Sequence, residues 1–277
     1  METAFKTDCG KIRSHNEDSG GVFSSDDGVF LAVVADGMGG HSAGEVASAL
    51  AVKHIKERWA AAGNFGTGEA AEKWLQETIA ETNTNVLAYA REHPECQGMG
   101  TTVVAAFCAP EFVTMAHVGD SRGYLFGKNG LTQITKDHSL VGELVRRGEL
   151  SEEEAAFHPR KHVLLQALGT EETIDSEVRT VEWQAGDIVL LCSDGLTDNL
   201  SREQLEEVMK SEQTVREKAD KLTEIANLAG GDDNITSTLV QLCHKENSVP
   251  KYHEANDAGT ASDTGNGEAL LKEERNG

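Results

Sequence analysis

The chain has 277 residues, 38% of them hydrophobic and 5% aromatic, which is length and apolar content enough to bury a core. Its 47 acidic residues against 25 basic give a net charge of −22, a surface that repels a phosphate backbone and argues against nucleic acid as a partner. No apolar run approaches the ~18–20 residues of a membrane span, and the opening METAFKTDCGKIR lacks a signal-peptide stretch, so a cytoplasmic protein without a membrane partner is expected.

In chain order, strands are predicted at 20–23 and 29–35 (VFLAVVA), followed by helices at about 42–62 and 69–92. The second helix reads Leu75, Ile79, Thr82, Val86, Tyr89 at alternating four- and three-residue spacing, and Pro94 stops it. Strands follow at 101–107, 112–118 and 122–126, then helices at 139–147 and 151–157. Strands at 177–182 and 187–192, helices at 201–210 and 213–229 and a strand at 235–241 complete the series. Strands do not alternate one-for-one with helices, which disfavours a doubly wound parallel sheet. An α+β protein with a pair of mostly antiparallel sheets and helices packed outside fits better. The folded domain is expected over 1–243, and the polar, Gly-, Asn- and Asp-rich 244–277 reads as a disordered tail. Cys9, Cys96, Cys108, Cys192 and Cys243 are unclustered and without CxxC spacing, as expected of reduced core thiols rather than a disulfide framework.

The carboxylates are placed with a pattern. Asp36, Asp120 and Asp194 follow strand candidates, while Asp18 and Asp233 precede them. In antiparallel sheets one strand's end lies beside its neighbour's start, so all of them could line one edge. Two carboxylates ~4 Å apart repel by roughly 4 kcal/mol at an effective dielectric of 20, so a convergent set must hold protons or cations. All-oxygen ligands suit Mg²⁺ or Mn²⁺ rather than Zn²⁺ or Cu²⁺. Taken singly, each Asp also reads as an ordinary turn residue, and only the joint pattern favours metal. The stretch VVADGMGGHSAGE (33–45) likewise admits a phosphate cradle, a metal site or a plain strand-to-helix turn, though its glycine spacing is not that of GxGxxG. Arg13, shortly before Glu17 and Asp18, becomes a candidate phosphate clamp if the carboxylates hold metal.

Taken in order, TDxGxxRxxNED (7–18), VADGMGGH (34–41), GTT (100–102), HVGDSRxY (117–124), DHSL (137–140), QALG (166–169), LLCSDGLTD (190–198) and GGDDNIT (230–236) resemble the metal-dependent protein phosphatases of the type 2C family in their compact bacterial form. The resemblance covers about residues 3–242 and implies an αββα sandwich with a binuclear Mn²⁺ or Mg²⁺ centre. It implies hydrolysis of phosphoserine and phosphothreonine by direct attack of a metal-bridging water, with phosphorylated proteins as substrates and a serine/threonine kinase as the opposing partner. By position, it makes Asp36 the carboxylate shared by both ions and the Gly37 carbonyl a ligand of one. Asp194 and Asp233 complete the other ion's shell, and Asp120 joins Asp194 at a third, weaker ion. Glu17 and Asp18 would hold metal-bound waters, Arg13 would grip the phosphate, and Asn234 would fix the loop carrying Asp233. The stretch 140–165 matches the family's flap. Met38 stands where eukaryotic members carry a histidine that protonates the leaving oxygen, so His41 or water is left for that role. A monomer is expected.

Overall fold

The computed structural model describes residues 1–40, 43–62 and 65–243. Its strands are β1 (Glu2–Asp8), β2 (Asp18–Ser24), β3 (Phe30–Met38), β4 (Gly100–Thr101), β5 (Val103–Cys108), β6 (Phe112–Val118), β7 (Arg122–Gly127), β8 (Gly130–Gln133), β9 (Glu177–Glu182), β10 (Ile188–Cys192) and β11 (Ile235–Gln241). Its helices are α1 (Ala43–Ala60), α2 (Gly68–Glu92), α3 (Leu140–Arg146), α4 (Glu152–Ala156), α5 (Asp194–Thr197), α6 (Arg202–Lys210) and α7 (Val215–Ala229). The strands form two antiparallel sheets. One has the order β1-β11-β10-β7-β8, the other β2-β3-β5-β6-β9, with β4 paired to β3.

The four layers follow from the two-residue period of the strands. On β3, Leu31 and Val33 pack with Ile55 and Trp59 of α1 and with Trp74, Leu75 and Ile79 of α2. Their neighbours Ala32 and Val34 turn the other way and meet Val189, Leu191 and Val240 of the opposite sheet. On β10, Leu190 and Cys192 face Leu205 and Val208 of α6 and Leu222 and Ala226 of α7. Both faces of the central strands are therefore buried, which is why they read as continuous apolar runs rather than as alternation. The expected α+β sandwich is the one observed. Cys96, Cys108 and Cys192 are buried free thiols, whereas Cys9 and Cys243 are free but only half-buried, so the expectation of core thiols holds for three of the five.

Local chemistry sets the helix ends. Thr67 caps α2 through its side chain, and Ser201/Gln204 and Thr214/Glu217 form capping boxes at α6 and α7. Lys218 of α7, only 2% exposed, closes the other end of α6: its Nζ donates to the carbonyls of Val208 (3.2 Å), Met209 (3.1 Å) and Ser211. Replacing Lys218 by methionine strands those buried carbonyls, an expected loss of about 2–4 kcal/mol. In a domain of this size that is a fall in thermal midpoint of roughly 5–15 °C. A midpoint unchanged in Lys218→Met would contradict this assignment.

Candidate active site

Asp18 and Asp36 lie directly opposite one another in the β2–β3 ladder. Strand β3 does not stop before Asp36, as the apolar run implied, but continues through Asp36 and Gly37 to Met38, because β4 supplies a partner there. The GTT segment is the clamp. Thr102 Oγ1 accepts the Asp36 N–H at 3.0 Å, the Thr102 N–H donates to the Asp36 carbonyl at 2.8 Å, and Thr101 Oγ1 donates to the same carbonyl at 2.9 Å. Gly37 has a packing reason to be bare. A Cβ there would stand 2.1 Å from the Gly44 carbonyl oxygen and 2.5 Å from that of Glu17, so only glycine lets α1 and the Glu17 backbone close on the strand.

On the other sheet, Ser193 begins α5 and puts Asp194 in its first turn, while its Oγ donates to Asp18 Oδ2 at 2.8 Å, linking the two sheets. Arg13 meets Asp233 Oδ2 at 2.7 Å, with about half of the Arg13 side chain open to solvent. Asn234 organises the loop before β2 rather than that of Asp233 alone. It accepts the Glu17 N–H (2.8 Å) and donates to the carbonyls of Cys9 and His15 (both 2.9 Å), so Arg13 and Glu17 hang from it. Asp120 follows Gly119, whose φ of 104° lies in the left-handed region. The turn is tied down by Ser121 Oγ and Thr102 Oγ1, 2.7 Å apart, and by the bidentate Arg122–Asp137 pair (2.7–3.0 Å).

Charge records the convergence. Burial, then Asp18, Asp194, Asp120 and Asp233, hold the Asp36 carboxyl well above its ordinary range. Burial pushes Asp18 up to about 7, against hydrogen bonds from Thr236 and Ser193 that lower it. Burial and the neighbours Asp194 and Asp137 push Asp120 up to about 8. Burial also raises Glu17, with Arg13 opposing. Asp194 runs the other way: burial would raise it, but hydrogen bonds from His162 and Asp36 hold it below its usual value. Asp18 Oδ1 is buried with no hydrogen-bond partner. Arg13, Glu17, Asp18, Asp36, Gly37, Asp120, Asp194 and Asp233 thus lie along one rim of the two sheets.

Further residues at this rim were not singled out beforehand. His162 Nδ1 stands 3.7 Å from Asp194 and 3.8 Å from Asp198, and Lys161 Nζ donates to Asp198 at 2.8 Å. His162, Asp194 and Asp198 present ligand atoms all within 4.8 Å of one another. A cavity of about 580 Å³ runs from Asp120 and Asp194 under α3 and α4, lined by Val141, Val145, His162 and Leu205 among others. Asp198 closes the quoted LLCSDGLTD run, so a signal existed for it; His162 had none. His41 and the segment 244–277 lie outside the described residues.

A sequence profile described as Protein phosphatase 2C matches residues 10–238. The chain belongs to the protein phosphatase 2C family. Among relatives, a "Serine/threonine phosphatase stp" of Listeria monocytogenes is 49% identical over 241 residues, 87% of this chain and 96% of the relative. "Protein phosphatase PhpP" of Streptococcus pneumoniae is 35% identical over 242 residues, 87% of this chain and 98% of that one. Among solved structures of this phosphatase family, a bacterial serine phosphatase bearing an R161K mutation superposes with a TM-score of 0.83 at 37% identity, covering 89% of this chain and 99% of that one. The catalytic domain of the phosphatase PstP in complex with two manganese ions superposes with a TM-score of 0.77 at 35% identity, covering 88% and 98%.

Proposed function

We infer that this chain is a metal-dependent serine/threonine protein phosphatase that hydrolyses phosphoserine and phosphothreonine in proteins and opposes a serine/threonine kinase. One observation carries the reading: buried Asp18 and half-buried Asp36, Asp120 and Asp194 crowd together at the rim where Arg13 meets Asp233. Carboxylates at this density call for cations, and the orphaned Asp18 Oδ1 lacks the partner that one would give it. The donor set is all oxygen around Asp36, which suits Mn²⁺ or Mg²⁺.

Asp36 and the Gly37 carbonyl, with Asp194 and Asp233, would hold two ions, and Asp120 with Asp194 would hold a weaker third. When bound, the ions acidify a water and neutralise phosphoryl charge. Arg13, exposed on its solvent side, binds the phosphate oxygens of the substrate, for which its planar fork is suited. Glu17 and Asp18 orient the water layer above the site, and Ser193 fixes Asp18 for that task. The thioether of Met38 donates no proton, so the leaving serine or threonine oxygen takes its proton from water. The helices of the 140–165 segment stand over the cavity beside Asp194 and act as a flap that selects among phosphoproteins. Among the described residues no helix is long and apolar enough to cross a membrane. We place the enzyme's action, as a monomer, in the cytoplasm.

Phosphate release from a phosphothreonine peptide tests the reading. Activity is expected with Mn²⁺, is lost in EDTA and returns when Mn²⁺ is restored. Hydrolysis undiminished by EDTA, or none at any Mn²⁺ concentration, would overturn it.

A further inference from the structure

The motif DHSL contributes a residue that the chemistry above does not use. His138 is 6% exposed and directly precedes Ser139, the N-cap of α3. It touches the Asp120 turn twice: its own N–H donates to the Gly119 carbonyl at 2.9 Å, and its Nδ1 accepts the Gly119 N–H at 3.3 Å. Its carbonyl accepts the N–H of Leu165 at 2.8 Å, while Leu140 donates to Val163 at 2.8 Å and Ser139 bridges to Leu164. One residue therefore joins three pieces of chain: the turn before Asp120, the start of α3 and the returning segment at 163–165.

We propose that His138 is a positioning residue that sets the turn carrying Asp120 and locks it to both roots of the 140–165 segment. Gly119 has no side chain with which to hold that turn, and a Cβ there would stand 2.7 Å from Thr102 Cγ2. The imidazole adds a hold on the Gly119 backbone itself, beside the Ser121–Thr102 and Arg122–Asp137 contacts farther along the turn. Because the Gly119 N–H occupies Nδ1, the neutral ring carries its proton on Nε2, which faces Glu177 at 3.8 Å. Burial keeps the ring neutral by pushing its pKa down to about 4. The ring stacks on His117 at 4.6 Å, and His117 Nε2 donates in turn to the Lys136 carbonyl at 2.6 Å. Although His117, His138 and Glu177 cluster as cation ligands might, the lone pair of His138 Nδ1 is already committed to the backbone. Arg146 of α3 approaches the same Glu177 at 3.7 Å, tying the segment to the start of β9 beside the His138 ring.

The inference rests on the reading of Asp120 as ligand of the weakest ion. In full-length protein, Mn²⁺ bound is counted by electron paramagnetic resonance, alongside the Mn²⁺ needed for half-maximal phosphopeptide hydrolysis and the hydrogen exchange of the Gly119 amide. Asp120→Asn and His138→Leu are each expected to weaken the weakest Mn²⁺ by about tenfold or more, leaving the tighter ions unchanged. His138→Asn places an acceptor near Nδ1 and is expected to stay within about threefold of the parent, with Gly119 still protected. His138→Gln, whose amide reaches the Nε2 position instead, is expected to behave as His138→Leu does, and decides the matter if the leucine variant does not fold. Parent-like Mn²⁺ binding in His138→Gln while Asp120→Asn loses the ion overturns the inference alone, as does His138→Asn being equally defective. Asp120→Asn retaining every ion overturns the Asp120 reading and this inference with it.

Discussion

Asp36→Asn is expected to lower turnover of a phosphothreonine peptide by about 10³-fold or more at any Mn²⁺ concentration. The carboxylate sits within reach of all four of its neighbours Asp18, Asp194, Asp120 and Asp233, each of which raises it. The amide is nearly isosteric, and the clamps on this residue run through its backbone N–H and carbonyl, to Thr102 and Thr101. The fold is therefore expected to survive, and in the metal-free protein the variant is expected to be more stable than the parent, since the crowding that raises the Asp36 carboxyl is removed. A folded Asp36→Asn enzyme with activity within tenfold of the parent would sink the role given to this residue.

The second large effect concerns pH and metal removal. Asp18, Asp36 and Asp120 all have carboxyls raised in the folded, metal-free protein, so between the unfolded and folded values the native state binds more protons. Stability is then fully present below the ordinary carboxylate range and is lost as pH rises through about 7 for Asp18 and about 8 for Asp120. A carboxyl displaced that far corresponds to an order of 4 kcal/mol, which in this chain is a fall in thermal midpoint of roughly 10 °C between pH 4 and 8. Saturating Mn²⁺ is expected to raise the midpoint most at the alkaline end, where the carboxylates are ready to bind, and so to flatten the profile. Scanning calorimetry in EDTA and in Mn²⁺ across this range reads both. A metal-free midpoint that rises steadily from pH 5 to 8 would contradict the crowded-carboxylate account.

Much of this was legible in the sequence because the signals are local and repeated. Runs such as VFLAVVA and DIVLLC mark strands buried on both faces, and aspartates at their ends share an edge once the sheets are antiparallel. The misses have physical causes. Strand β1, ETAFKTD, buries only Ala4 and lies at a sheet edge, so neither alternation nor an apolar run announces it. Strand β8 is four residues long, and α5 begins with the Asp-Gly pair that a turn would use as readily. Ser193 and His138 escaped for another reason, as did the reach of Asn234 beyond the loop carrying Asp233. Each is a single polar residue with partners outside its own segment, 217 residues from Asn234 to Glu17, 175 from Ser193 to Asp18 and 19 from His138 to Gly119. Nothing in their own neighbourhoods specifies a partner; only the closed fold does.

If Asp36 is shared by two ions, a calorimetric titration of Mn²⁺ into the metal-free protein reads it. Two tightly bound ions are expected in the parent chain and the loss of both high-affinity events in Asp36→Asn, with the circular dichroism spectrum unchanged. Parent-like binding of two ions by folded Asp36→Asn would contradict that sharing.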